Sequence, residues 1–114
     1  MVGYSRAVRA GNVIEIAGTV ATDENGNAVA VGDPYQQARF ILEKILDYVA
    51  RAGGKPKDVV RTRMFVTDIS KWEEIGRAHG EVFGDIRPVT TMVEVNALIS
   101  REYLVEIEAT AVIE

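Results

Sequence analysis

The sequence predicts an α+β fold: a mixed β-sheet with two helices packed on one of its faces. Three observations carry this. Apolar and polar residues alternate with period 2 over Val13–Val20, Val59–Thr67, Val89–Val95 and Leu104–Val112, as in strands whose two faces meet different surroundings. Two other stretches, after Asp33 and after Ser70, carry apolar residues at i, i+3, i+4 and i+7 instead. The two patterns interleave in the order β-β-β-α-β-α-β-β, which layers helices on a sheet. At 114 residues the chain is long enough for one core and too short for two, so residues 1–114 are expected to form a single domain.

Each element has a local reason. Tyr4 to Arg9 reads as a short strand, turned at Ala10-Gly11-Asn12 into Val13–Val20, with Ile14 and Ile16 on one face and Glu15, Ala17 and Thr19 on the other. Asp23-Glu24-Asn25-Gly26-Asn27 is a turn, and its Asn-Gly pair favours type I′, in which both central residues take positive φ. Ala28–Val31 is expected as the returning strand. Asp33 and Pro34 then open a helix as N-cap and N1, with Gln36 placed for a capping box. Ala38, Ile41, Leu42, Ile45, Val49 and Ala52 form its apolar stripe. Gly53-Gly54 and Pro56 end it.

In the strand that follows, Val60, Thr62, Met64 and Val66 oppose Arg61, Arg63 and Phe65. Ser70 with Glu73 suggests a second capping box. The second helix runs to about Phe83 with Trp72, Ile75, His79 and Val82 on one stripe. Gly76 and Gly80 cost it roughly 1 kcal/mol each in propensity relative to alanine; they suit either close packing at a cleft or a tolerant surface. The chain closes with Val89–Val95 and Leu104–Val112, read as partner strands joined by a polar loop.

The two helices cover the Ile/Val face of the sheet. The other face is expected to collect Glu15, Arg61, Arg63, Glu94, Glu106 and Glu108. A carboxylate-rich face is not buried without partners. Either it is solvated, as antiparallel sheets allow, or it meets symmetric copies of the chain through Arg–Glu pairs.

Composition narrows the function. Cysteine is absent, so there is no disulfide framework, thiolate nucleophile or thiolate ligand; this fits a reducing cytosol, and a cytoplasmic location is expected. A net charge of −4 without a Lys/Arg cluster disfavours nucleic acid. No stretch has the ~20 apolar residues of a membrane span, and the first residues lack an apolar signal core. The single His79 rules out most His-rich metal sites, and the sequence offers no metal constellation, Gly-rich phosphate loop or Ser-His-Asp set.

Several runs together resemble the Rid/YjgF family. They are Arg87-Pro88, Val93-Glu94-Val95, Leu98 and Val105-Glu106-Ile107-Glu108-Ala109. Tyr4-Ser5, Ala7-Val8, Gly11-Asn12, Gly18, Gln37, Ala52-Gly53, Asp58-Val59-Val60 and Thr67-Asp68-Ile69 match in order. The resemblance covers nearly the whole chain. It implies a chorismate mutase-like homotrimer: three sheets form a central barrel, the helices lie outside, and three clefts open between neighbouring subunits.

The best-known members are reactive intermediate deaminases, which hydrolyse imines and enamines without a cofactor or metal. The resemblance implies that Glu106 orients the attacking water, and that Tyr4, Gly18 and Met92 line the cleft. This chain departs from the deaminase pattern at three positions. Thr90 stands two residues after Pro88, where deaminases carry an arginine for the substrate carboxylate; Ala17 replaces a serine, and Gly76 an asparagine. Activity on 2-imino acids is therefore expected to be weak or absent, with Thr90 and Thr91 offering hydroxyls where a guanidinium would be. A non-catalytic trimer binding a small metabolite or a partner protein in the same clefts is the alternative. Each residue also has a plainer reading. Glu106 could pair with Arg61 or Arg63, Thr90 and Thr91 suit any strand, His79 and Trp72 suit packing, and Arg87 suits loop anchoring.

Overall fold

The computed structural model describes residues 2–114. Its five strands are β1 (Ala7–Ala10), β2 (Val13–Thr19), β3 (Val59–Val66), β4 (Val89–Glu94) and β5 (Val105–Val112). Two helices, α1 (Pro34–Arg51) and α2 (Trp72–Phe83), complete the fold. The sheet order is β1-β2-β5-β3-β4, antiparallel throughout except for the parallel pair β3–β4. Both helices pack on the face that buries Ile14, Ile16, Met64, Val66, Val105 and Ile107, against Ile41, Leu42, Ile45 and Ile75 from the helices.

The first helix forms as its sequence dictates. Asp33 lies in extended conformation, and its carboxylate accepts from the Gln36 N–H at 3.0 Å. The stripe from Ala38 to Val49 is buried without remainder. The reciprocal half of the capping box is missing, because the Asp33 N–H is already used by the Ala30 carbonyl. Gln37 is fully buried and ties α1 to two loops. Its amide donates to the Glu102 carbonyl at 2.8 Å and the Val29 carbonyl at 3.2 Å, and its oxygen accepts from the Leu104 N–H at 2.8 Å.

Several local expectations are corrected. Ala28–Val31 is not a strand; it makes one isolated bridge, Thr22 to Ala28, because Val29 is instead held by Gln37. The turn before it is not type I′: Gly26 alone takes positive φ, and the Asp23 carboxylate accepts from the Asn25 and Asn27 N–H groups. Ser70 does not cap α2. Asp68 accepts from the Ser70 N–H and hydroxyl, winding a 3₁₀ turn at Ile69–Lys71 from which α2 continues at Trp72. Trp72 is 55% exposed, whereas Ile75, Ala78 and Phe83 form the buried stripe. A Cβ at Gly76 or Gly80 would meet nothing within 4 Å, so neither glycine marks close packing inside the chain.

Two corrections matter more. The register slips in β2 between Ile16 and Thr19, a bulge at Ala17-Gly18 that carries Thr19 over to the buried face. Furthermore, β4 pairs with β3 at the sheet edge and not with β5, so Val89–Val95 and the last strand are not partners. Thr90, Met92 and Glu94 register with Thr62, Met64 and Val66, all buried on the helix side. Glu94 therefore leaves the carboxylate face and accepts from the Ile69 N–H at 3.0 Å. Val89, Thr91 and Val93 take its place on the open face, beside Arg61, Arg63 and Phe65. That face keeps Glu15, Glu106 and Glu108, with Arg63 bridged to Glu108 at 3.0 Å. A shallow hollow of about 520 Å³ crosses it, lined by Glu15, Arg61, Arg63 and Glu108 among others.

Candidate functional site

The first cluster of interest surrounds Glu106. This residue lies opposite Phe65 on β3, and its carboxylate lies across the β2 bulge over Gly18. A side chain at position 18 would overlap the carboxylate oxygen Oε2, so the bulge glycine is what lets Glu106 lie there. Arg6 holds the other side of the bulge: its Nη2 donates to the Gly18 carbonyl and to Thr19 Oγ1, both at 2.9 Å, and its Nη1 donates to the Tyr4 hydroxyl at 3.1 Å. Burial pushes the Glu106 carboxyl above the ordinary glutamate value of 4.5, opposed by the positive charge of Arg6 and reinforced by the negative charge of Glu108. Arg6 thus links Tyr4 to Gly18, over which Glu106 lies. Arg6 was missed. Its signal was weak, a lone charged residue between the two matched pairs Tyr4-Ser5 and Ala7-Val8.

Glu106 does not pair with Arg61 or Arg63. The latter is taken by Glu108, and the positive charge acting on Glu106 is that of Arg6.

A second cluster surrounds Thr90. The hydroxyl of buried Thr62 lies 2.8 Å from Thr90 Oγ1 and 2.8 Å from His79 Nε2. Thr90 Oγ1 is 3.4 Å from the same nitrogen and donates to the Pro88 carbonyl at 3.2 Å. The imidazole packs on Phe83 with ring centroids 4.9 Å apart, and burial holds His79 below the ordinary histidine value of 6.5. His79 is therefore a hydrogen-bonded packing residue, in contact with one of the candidate ligand-binding positions. Met92, partly buried, follows Thr90 on this same face, while Thr91 points to the other.

Arg87 carries no ion pair among the described residues. It turns the chain at φ 56°, with its N–H on the Phe83 carbonyl at 2.8 Å, and so delivers Pro88 and Thr90 to the start of β4. A non-glycine residue at positive φ stores of order 1–3 kcal/mol.

Within one chain the two clusters stand apart. Glu106 is on the open face and Thr90 on the helix face, with β3 between their strands. The expectation that Glu106 acts on a strand paired with that of Thr90 is thereby corrected. Among the described residues no group of three or more His, Asp or Glu side chains is placed to hold a metal ion, and no helix is long and apolar enough to cross a membrane.

A five-stranded mixed sheet with two helices on one face, a carboxylate laid over a bulge glycine and a proline-led edge strand carrying hydroxyls define a class of small α+β proteins. The chain belongs to the Endoribonuclease L-PSP family, whose model matches residues 1–113, and its relatives carry the YjgF and RutC names. It is 34% identical over 108 residues to the 3-aminoacrylate deaminase RutC of Acinetobacter baylyi, covering 95% of this chain and 85% of that one. A RutC family protein of Pyrococcus horikoshii is 33% identical over 108 residues, with 95% and 85% covered. Among solved structures, a Mycobacterium tuberculosis member of the YjgF/YER057c/UK114 family superposes with TM-score 0.88 at 49% identity, covering 98% of this chain and 88% of that one. The YjgF gene product of E. coli superposes with TM-score 0.87 at 31% identity, covering 98% and 90%.

Proposed function

We propose that the protein hydrolyses a small imine or enamine to a carbonyl compound and ammonia, in clefts between the subunits of a homotrimer. The observation that carries this is the Glu106 carboxylate, half-buried over Gly18 and raised in pKa by that burial. Such a carboxylate is a stronger base than a solvated one, and closer to the working pH. A water held by Glu106 attacks the C=N carbon and passes its proton to the carboxylate. Glu106 then returns that proton to the nitrogen to give a carbinolamine, and next carries the hydroxyl proton to the same nitrogen, so that the C–N bond breaks and ammonia leaves as the carbonyl forms. An enamine first takes a proton on carbon and gives one up from nitrogen, becoming the imine. Neither sequence of steps needs a cofactor.

The subunit arrangement is supported by the separation of the two clusters. Thr90 lies on an edge strand, where a neighbouring copy has access, and Glu106 lies on the open face with Arg61 and Arg63. A second copy whose open face reaches along the β4 edge would bring its Glu106 toward this chain's Thr90 and Met92. On this reading Tyr4 and Gly18 belong to the Glu106 side of the cleft, and Thr90 and Met92 to the other. Thr91 faces the neighbouring copy on the barrel side. Activity on 2-imino acids is weak, because a charge-assisted contact to the carboxylate, worth about 1.5–3 kcal/mol, is lost with Thr90 in place of arginine.

The deciding experiment is ammonia release from a small imine generated in situ, comparing the wild type with Glu106→Gln. Loss of at least a hundredfold in the variant supports the hydrolytic reading. Equal rates in both, at the uncatalysed level, would instead make the cleft a binding site for a small metabolite or partner protein.

A further inference from the structure

Thr62 is fully buried, and its hydroxyl touches two polar atoms among the described residues, His79 Nε2 and Thr90 Oγ1. A hydroxyl has one proton to give. It can accept from both neighbours only by leaving that buried proton unpaired, which is costly; with the proton used, it donates to one neighbour and accepts from the other, and the hydrogen bonds run in one of two directions. In the first, His79 Nε2–H donates to Thr62, Thr62 donates to Thr90, and Thr90 donates to the Pro88 carbonyl, using all three short contacts. In the second, Thr90 donates to Thr62 and Thr62 donates to a bare Nε2. The Thr90 proton is then consumed inward and the Pro88 carbonyl loses its partner. The first arrangement makes one more hydrogen bond, worth about 0.5–1.5 kcal/mol. It also leaves Thr90, which is solvent-exposed, with a proton it can turn from the 3.2 Å carbonyl to an incoming acceptor.

We propose that His79 is a positioning residue that, through Thr62, makes Thr90 a hydrogen-bond donor, so that the cleft selects substrates bearing an uncharged acceptor such as an amide carbonyl. The choice of an uncharged group follows from the trio itself, which brings one donor and no fixed positive charge. The ligand side of this inference rests on the proposed cleft, whereas the direction of the hydrogen bonds does not.

The chain has a single histidine, so its imidazole nitrogens give an unambiguous signal after labelling with ¹⁵N-histidine. At pH 8, above the ordinary histidine value of 6.5, the ring is neutral and its tautomer can be read directly. The expected wild-type spectrum is protonated at Nε2 and bare at Nδ1. In Thr90→Val the Thr62 proton has no acceptor left except Nε2, so the ring switches to the Nδ1–H tautomer; Thr90→Ser keeps the wild-type form. A residue that merely filled space would show no switch. A wild-type ring bare at Nε2 overturns the inference by itself, even if the valine variant fails to fold, and so does an unchanged tautomer in a folded Thr90→Val.

Ammonia release from 3-aminocrotonamide and from 3-aminocrotonate then tests the ligand side. The neutral amide is expected to be turned over more efficiently than the anion, and Thr90→Val to lower kcat/KM for the amide by about three- to tenfold, chiefly through KM. Preference for the anion, or an unaltered KM in that variant, overturns the specificity claim. If Glu106→Gln matches the wild type, the hydrolytic reading falls while the imidazole spectrum still decides the direction of the trio.

Discussion

The carboxylate of Glu106 occupies the space that a side chain on Gly18 would fill. Substitution at position 18 should therefore separate activity from stability. The atom in the way is the end of a flexible side chain, and Gly18 is not among the positive-φ glycines, so Gly18→Ala can be accommodated by swinging Glu106 aside. The expected result is a stability change of about 1 kcal/mol or less in urea titration. Ammonia release should fall at least tenfold, because a misplaced base loses its reach to the water. A variant with full activity would show that the position of Glu106 over the bulge is immaterial.

In the proposed hydrolysis Glu106 serves as base only when ionised, and burial pushes its carboxyl above 4.5. The rate should therefore rise with pH along an acid limb lying above 4.5 and level off beyond it. Folding responds with the opposite sign: a carboxyl raised in the folded state contributes stability that is complete below the unfolded value and is lost as pH rises through the folded one. Glu106→Gln should abolish the acid limb and remove that loss of stability. A pH–rate profile of the wild type, set beside thermal melts of both proteins, checks the two signs together.

Thr90→Arg should raise hydrolysis of 2-imino acids by restoring a carboxylate anchor. The substitution costs Thr62 one of its two hydrogen-bond partners, while His79 Nε2 at 2.8 Å remains. A destabilisation of about 1 kcal/mol is expected from the lost bond. The gain in activity should be tenfold or more, measured as keto-acid release with the uncatalysed rate subtracted. No gain in a variant that still assembles would leave two causes: Ala17 and Gly76 also fall short of the deaminase pattern, or the pocket is built for another ligand.

The open sheet face carries Glu15, Arg61, Arg63, Glu106 and Glu108, together with exposed Val89 and Val93. A homotrimer buries both kinds of group at once. Sedimentation equilibrium at micromolar concentration should give three times the chain mass, and Val93→Glu or Arg61→Glu should lower it. A stable monomer would remove the cleft on which the proposed function depends.

Ile45 is wholly buried at the centre of the α1 stripe. Ile45→Ala is expected to cost about 2–5 kcal/mol, as a large-to-small change in a packed core does. Chemical denaturation gives this value, and a loss under about 0.5 kcal/mol would mean that the helix packs by another face.

By itself the sequence determined the two helices, most of the strand segments and the buried faces of α1 and β5, because each is written in a local period. Asp33 with Pro34 starts α1 wherever that segment folds, and a stripe of isoleucines needs a sheet to cover it. Around Glu106 the alternation of Val105 to Ala109 was legible locally, whereas Tyr4 and Gly18 were picked out only by the family resemblance. Only the tertiary structure decided which strands are neighbours. Strand pairing is a non-local choice, and nothing in Val89–Glu94 says that it runs parallel to β3 at the edge and leaves β5 between β2 and β3. That choice moved Glu94 off the acidic face and parted Thr90 from Glu106. It also brought Thr62, Thr90 and His79 together from two strands and a helix, through contacts that span 28 and 17 residues of chain. The Ala17-Gly18 bulge belongs to the same kind of fact: one extra residue in β2 has no local signature, yet it turns Thr19 inward and lets the Glu106 carboxylate lie across Gly18.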